Sequence, residues 1–254
     1  MPFLTDEGEP LAELGLAQRP TDAASFELTA ALVYLDPETG RRFRVPARGE
    51  ASDPFAGAAT DLASVPTPLW GMIASYGRQS APAVLHDARS RAAAALGDRR
   101  AALAQRRDDD RVFRTALREQ GVPLLRAQLM WAWVSADRER EFGGARGWAL
   151  VVQSVLGALV LLAAVVAAFA NPLWLLVWPA VAVLSLVHGR LAGLVATLTF
   201  SLALFGPLVL LQLAALVPFR LAEAAVELVT GGRPGEVWRP TVRPRRESGG
   251  EVQG

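Results

Sequence analysis

The chain of 254 residues has room for one ordinary soluble domain beside an apolar region, and its near-neutral balance of +1, with acids and arginines interleaved, excludes a nucleic-acid footprint. The absence of cysteine excludes disulfides, iron-sulfur clusters and thiolate zinc sites, and two histidines, His86 and His188, are too few for a histidine-rich metal cluster. Every basic residue is arginine, which fits a GC-rich genome and indicates no function by itself.

Residues 1–22 are polar, rich in turn formers and without a secretory signal, and they read as a flexible N-terminal arm. Phe26, Leu28, Ala30, Leu32 and Tyr34 alternate, residues 36–40 form a turn, and residues 41–45 alternate again, which predicts a β-hairpin. Helices are predicted over 68–73, 81–95, 108–119 and 123–137. The acids at 108–110 suit a helix start, Gly121 suits the end of that helix, and Pro123 suits the first turn of the next. The fold class is therefore α+β: an N-terminal hairpin and a mainly helical soluble domain over residues 23–142, followed by an α-helical transmembrane region.

Between 147 and 219 the one charged residue is Arg190. Residues 148–170 form an uninterrupted apolar helix, long enough at about 1.5 Å per residue to cross a roughly 30 Å hydrocarbon core. Asn171 and Pro172 break it, and 172–188 reads as a second, shorter span whose Trp174 and Trp178 suit the interfacial belt. Residues 191–217 read as a third, kinked at Gly206 and Pro207. Buried core helices of a soluble protein seldom run so far without a charged face. With three spans, Arg138, Arg140, Arg146 and Arg190 share a side, and the positive-inside rule makes that side, and the soluble domain, cytoplasmic at a bacterial plasma membrane. Residues 220–254 are an amphipathic segment, 221–229, and a disordered tail. The tail's Arg239, Arg243, Arg245 and Arg246 favour the cytoplasm too, so two or four spans stay open.

Two patterns can carry chemistry. One is the run Thr60-Asp61-Leu62-Ala63-Ser64-Val65-Pro66, followed by Trp70-Gly71 and Tyr76-Gly77. The other is Val84-Leu85-His86-Asp87, followed by Asp110-Arg111-Val112-Phe113. Through these ordered motifs, from about residue 26 to 137, the chain resembles DUF1353, a bacterial and phage family of unknown function. His86-Asp87 with a distant Asp110 also resembles, more weakly, the centre of phospholipase A2 folds. That resemblance implies His86 as a general base, Asp110 as the carboxylate orienting its ring, and Asp87 as a Ca²⁺ ligand, in a lipid or ester hydrolase acting on phospholipid. Ser90, Ala88 and Arg89 depart from the residues these families carry there. The candidate calcium loop, 70–78, has only Gly71 and Gly77.

A bland reading stands beside the chemical one. His86 can be a buried histidine bonded to Asp110 or Asp61 that fixes helix packing. Thr60 or Asp61 can cap a turn, with Ser64 starting the next helix. His188 lacks a polar partner in its surroundings and receives no role. No phosphate-binding loop, GxSxG elbow or dinucleotide fingerprint occurs. The alternative function is a non-enzymatic, phage-derived module that recruits a partner protein to the membrane.

Overall fold

The computed structural model describes residues 2–18, 26–50, 60–62, 73–74 and 76–238. Five short strands come first: β1 (Phe3–Leu4), β2 (Leu16–Gln18), β3 (Phe26–Leu28), β4 (Leu32–Leu35) and β5 (Arg42–Val45). β4 and β5 make the expected antiparallel hairpin, with Tyr34 opposite Phe43. Its turn is held by the Asp36 carboxylate, which accepts from the Glu38 amide and the Thr39 hydroxyl. The alternating run from Phe26 to Tyr34 is not one strand, because a bend at residues 29–30 splits it between two small sheets, β1-β4-β5 and β2-β3.

The expectation of a flexible arm is corrected over residues 2–18. β1 pairs with β4, β2 pairs with β3, and Phe3 is fully buried with its ring 5.0 Å from that of Tyr34. A few apolar side chains in a polar segment suffice once strands offer unpaired edges. Residues 1 and 19–22 of the arm lie outside the described residues.

Three helices follow: α1 (Ser80–Ala94), α2 (Arg99–Glu119) and α3 (Leu124–Phe142). α2 begins well before the predicted 108. The Asp98 side chain accepts from the amides of Arg100 and Ala101, and the alanine-rich stretch behind it propagates the helix. The acids at 108–110 are therefore mid-helix residues facing neighbours, not a helix start. Gly121, at φ +74°, ends α2 with its amide bonded to Arg118 O and the Val122 amide bonded to Leu117 O, while Val122 and Leu117 pack in one core cluster. The helix predicted over 68–73 falls largely outside the described residues; Ile73 lies in a bend.

The apolar part begins with α4 (Gly144–Ala168), continues through a 3₁₀ segment (Pro172–Leu176), α5 (Val177–Leu184) and a second 3₁₀ segment (Ser185–Leu191), and ends in α6 (Ala192–Thr230). Two candidate spans are present, Gly144–Ala168 and Pro172–Thr230, instead of the expected three. α5 has 8 residues, about 12 Å of helix, too short for a bilayer core. The break after it is at Gly189, with φ 55° and ψ −116°, which only glycine adopts readily. α6 absorbs the third predicted span and the amphipathic segment into one helix of 39 residues that runs through Pro207 and Pro218 and stops at left-handed Gly231. The tail from 239 onward lies outside the described residues.

Packing joins the two parts. Leu150 clusters with Leu194 and Leu198, and Ala158 and Leu161 with Ala203, so α4 and α6 run parallel and the segment between them returns. α3 lies against both: Ala132 and Ala136 share the cluster of Leu150 and Leu194, and Phe205 of α6 packs with Phe113 and Met130. The division drawn between residues 142 and 147 thus falls within a tight helical hairpin. A Cβ on Gly147 would stand 1.7 Å from the Glu139 carbonyl oxygen.

Candidate functional site

α1 and α2 are antiparallel, and their interface carries the histidine motif. His86 Nε2 lies 2.8 Å from Asp110 Oδ1, and the His86 ring packs on Phe113 at 4.8 Å between centroids. The spacing Asp110 to Phe113 puts both on the face of α2 turned to α1, one to bond the ring and one to cover it. Asp110 is fully buried, and its second oxygen accepts from Ser135 Oγ at 3.0 Å and from Arg138 Nη1. Arg138 in turn donates to Glu139 Oε1 at 2.9 Å, an oxygen that also meets exposed Arg107. A chain of charge-assisted bonds therefore runs from α1 through α2 to α3, with every oxygen of Asp110 engaged.

Asp87, the next residue, points elsewhere. Thr60 Oγ1 donates to Asp87 Oδ2 and accepts from the Leu62 amide at 2.9 Å. Thr60 also exchanges both backbone hydrogen bonds with Phe26 at 2.7 Å, so the start of the threonine motif is pinned to β3 and to α1 together. Leu62 adopts φ +62°, a left-handed conformation that a leucine holds only when its surroundings fix it. Burial pushes the Asp87 carboxyl up to about 6; the Thr60 bond opposes this and nearby Asp61 adds to it.

The expected pairing of His86 with Asp110 is thus brought together, while Asp61 is placed on the Asp87 side. Ser64, Pro66, Trp70 and Gly71 lie outside the described residues. For calcium, Asp87 supplies one carboxylate already hydrogen-bonded to Thr60, and among the described residues no group of three histidine or acidic side chains assembles to hold a metal.

Sequence reasoning missed Ser135, Arg138 and Glu139. The signal was available: a serine and an arginine three apart on the α3 face that also carries Ala132, within a helix otherwise packed by apolar residues. It also missed Asp109, whose Oδ1 accepts from Arg89 Nε at 2.8 Å; burial raises the proton affinity of that carboxyl. Arg89 stacks over Phe43 at 5.0 Å, so a residue that departs from the family pattern ties α1 to the hairpin as well. On the far side of α2, buried Asp36 takes Arg111 in a bidentate pair, which holds its carboxyl down at about 2.

No match was found among curated proteins or among solved structures. Residues 26–134 match the family model of DUF1353, described as a protein of unknown function. That stretch covers β3 to most of α3, with Thr60, His86, Asp87, Asp110 and Phe113 inside it and Ser135 and Arg138 just beyond its end. Over residues 26–134, less than half of the chain, the protein is similar to the DUF1353 family.

Proposed function

We propose that this protein is an integral membrane protein that holds its DUF1353 domain against the bilayer as a binding module for a membrane-associated protein. One observation carries the membrane part: the outward faces of α4 and α6 are apolar and unpartnered. Val166, Phe169, Leu210, Leu211 and Phe219 are all more than half exposed. Only 28% and 39% of the most apolar stretches of the two candidate spans are buried within the protein, whereas a soluble protein's core helix is mostly buried. At about 25 cal/mol per Å², such faces are costly in water and at rest in lipid. The ends of the apolar segments bearing Arg146 and Arg190 lie together, through the cluster of Leu150 and Leu194, and the positive-inside rule then favours a cytoplasmic domain at a plasma membrane. The binding part is supported by His86, 7% exposed, and Asp110, whose oxygens are all spent on helix packing. Extraction of cell membranes at alkaline pH tests it: the protein stays in the bilayer fraction. Release as a folded, water-soluble monomer would refute the membrane reading.

The hydrolase reading rests on a different observation, the 2.8 Å bond that orients the His86 imidazole as a general base requires. In that reading His86 takes a proton from water through its other ring nitrogen, Asp110 holds the ring, and Asp87 is the candidate for calcium. Fatty-acid release from phospholipid vesicles, with calcium, with chelator and with His86→Ala, decides it. Release that needs calcium and His86 establishes the hydrolase; release equal to the mutant's leaves the binding module.

A further inference from the structure

The seam between α1 and α2 contains polar atoms that the His86 network does not use. Arg106 is 5% exposed, its Nε–H has no acceptor, and among the described residues it forms no ion pair. A buried N–H donor without an acceptor is expensive, because what it loses from water is not regained. Two more atoms nearby share this condition: Ser90 Oγ and Asp109 Oδ2 are buried and unbonded.

The helix register puts the three together. His86 and Ser90 are one turn apart on α1, and Asp110 and Arg106 are one turn apart on α2. Because the helices are antiparallel and His86 meets Asp110 at 2.8 Å, Ser90 stands opposite Arg106. Gln105 Nε2 donates to the Arg89 carbonyl and Arg89 Nε to Asp109, which closes the same layer from the other side. Ser90 Oγ and Arg106 Nε are both left without a hydrogen-bond partner. The neighbouring acids already have cations: Asp109 has Arg89, while Asp110 and Glu139 have Arg138.

We propose that this seam binds a hydrogen-phosphate group, either free or at the end of a phosphomonoester headgroup. Phosphate oxygens accept from Arg106 Nε–H and the Ser90 hydroxyl, while a P–OH donates to Asp109 Oδ2, so one group satisfies all three atoms. A fully ionised oxyanion such as sulfate has no proton for Asp109 and fits less well. The site concerns α1 and α2 alone and stands apart from the membrane and hydrolase readings.

Thermal unfolding of the full-length protein in detergent micelles, with phosphate, sulfate or chloride at matched ionic strength, tests it. Phosphate raises Tm with its logarithm, by about 4 °C near saturation; sulfate has less than half that effect and chloride none. Arg106→Met, an apolar replacement of similar length, abolishes the response, whereas Arg107→Gln on the exposed side keeps it. Should Arg106→Met not unfold cooperatively, Ser90→Ala replaces it, with phosphate affinity at least threefold weaker. The same measurement in nanodiscs with and without phosphatidic acid separates the sources: a shift only with phosphatidic acid assigns a headgroup, and a shift with inorganic phosphate assigns the free anion. Equal responses to phosphate and sulfate, a response that survives Arg106→Met, or none in either medium overturns the proposal and leaves the seam to ordered water.

Discussion

The seam joining α1, α2 and α3 and the contact between α4 and α6 are both helix packings, yet they are held by opposite chemistry. In the first, buried His86, Asp110, Arg138 and Glu139 are bonded across three helices, with alanines and Phe113 filling the space around them. In the second, Leu150, Leu161, Leu194 and Leu198 interdigitate, and Gly157 lets Thr199 come so close that a Cβ there would lie 2.9 Å from its methyl. Polar bonds fix register because a one-turn slip strands a charge; shape alone fixes it only where a glycine permits one close approach. The difference teaches that the seam of α1, α2 and α3 adds directional bonds to an apolar core, while the apolar helices are fitted by volume alone.

Four substitutions break or sharpen this contrast, taken from the largest effect downward. Asp110→Ala leaves Arg138 and His86 without their shared carboxylate and costs about 3–5 kcal/mol, read from denaturant unfolding of the detergent-solubilised protein. If the network were incidental, the loss would stay below about 1 kcal/mol. Gly147→Ala drives a methyl into the Glu139 carbonyl and separates α3 from α4, at a cost of about 1–3 kcal/mol. A tolerated alanine would show that the two helices are free to part.

The third is a pH experiment. The Asp87 carboxyl sits at about 6, above its ordinary 3.8, so its contribution to stability is fully present below about pH 4 and is lost as pH rises through 6. Asp87→Asn therefore stabilises the protein at pH 7.5 by on the order of 1–2 kcal/mol and changes little at pH 4, as Tm measured across pH shows. Asp36 has the opposite sign: held at about 2, it adds stability above pH 4 that fades as pH falls toward 2. A flat profile for Asp87→Asn would mean that Asp87 is more fully solvated than its surroundings imply. Last, Arg140→Gln removes an exposed pair with Asp137 and moves Tm by less than a degree or so, the baseline against which the others are read.

Much of this is legible in the sequence. The hairpin from Leu32 to Val45, the three soluble helices, Gly121 as a helix end and the pairing of His86 with Asp110 all follow from local rules or from ordered motifs. The start of α2 is hard to place from sequence because three aspartates resemble a helix N-terminus more loudly than a lone Asp98 does, although Asp98 makes the cap. The arm reads as flexible because composition averages over Phe3, Leu11, Leu14 and Leu16, the apolar side chains that pack it onto the core. The middle stretch reads as one regular span because hydropathy measures apolarity and not helical hydrogen bonding, which changes type twice between Pro172 and Leu191.

By itself the sequence determined what depends on neighbours along the chain: secondary structure of the hairpin and helices, an apolar region long enough for a bilayer, and a histidine and an aspartate at spacings able to meet. Tertiary structure alone decided that Arg138 and Ser135 complete the bond to Asp110, that Asp87 turns away to Thr60, and that α3 serves the polar seam on one face and the apolar helices on the other. Those outcomes depend on which helix faces meet, a property of three-dimensional packing that no periodicity along one segment encodes.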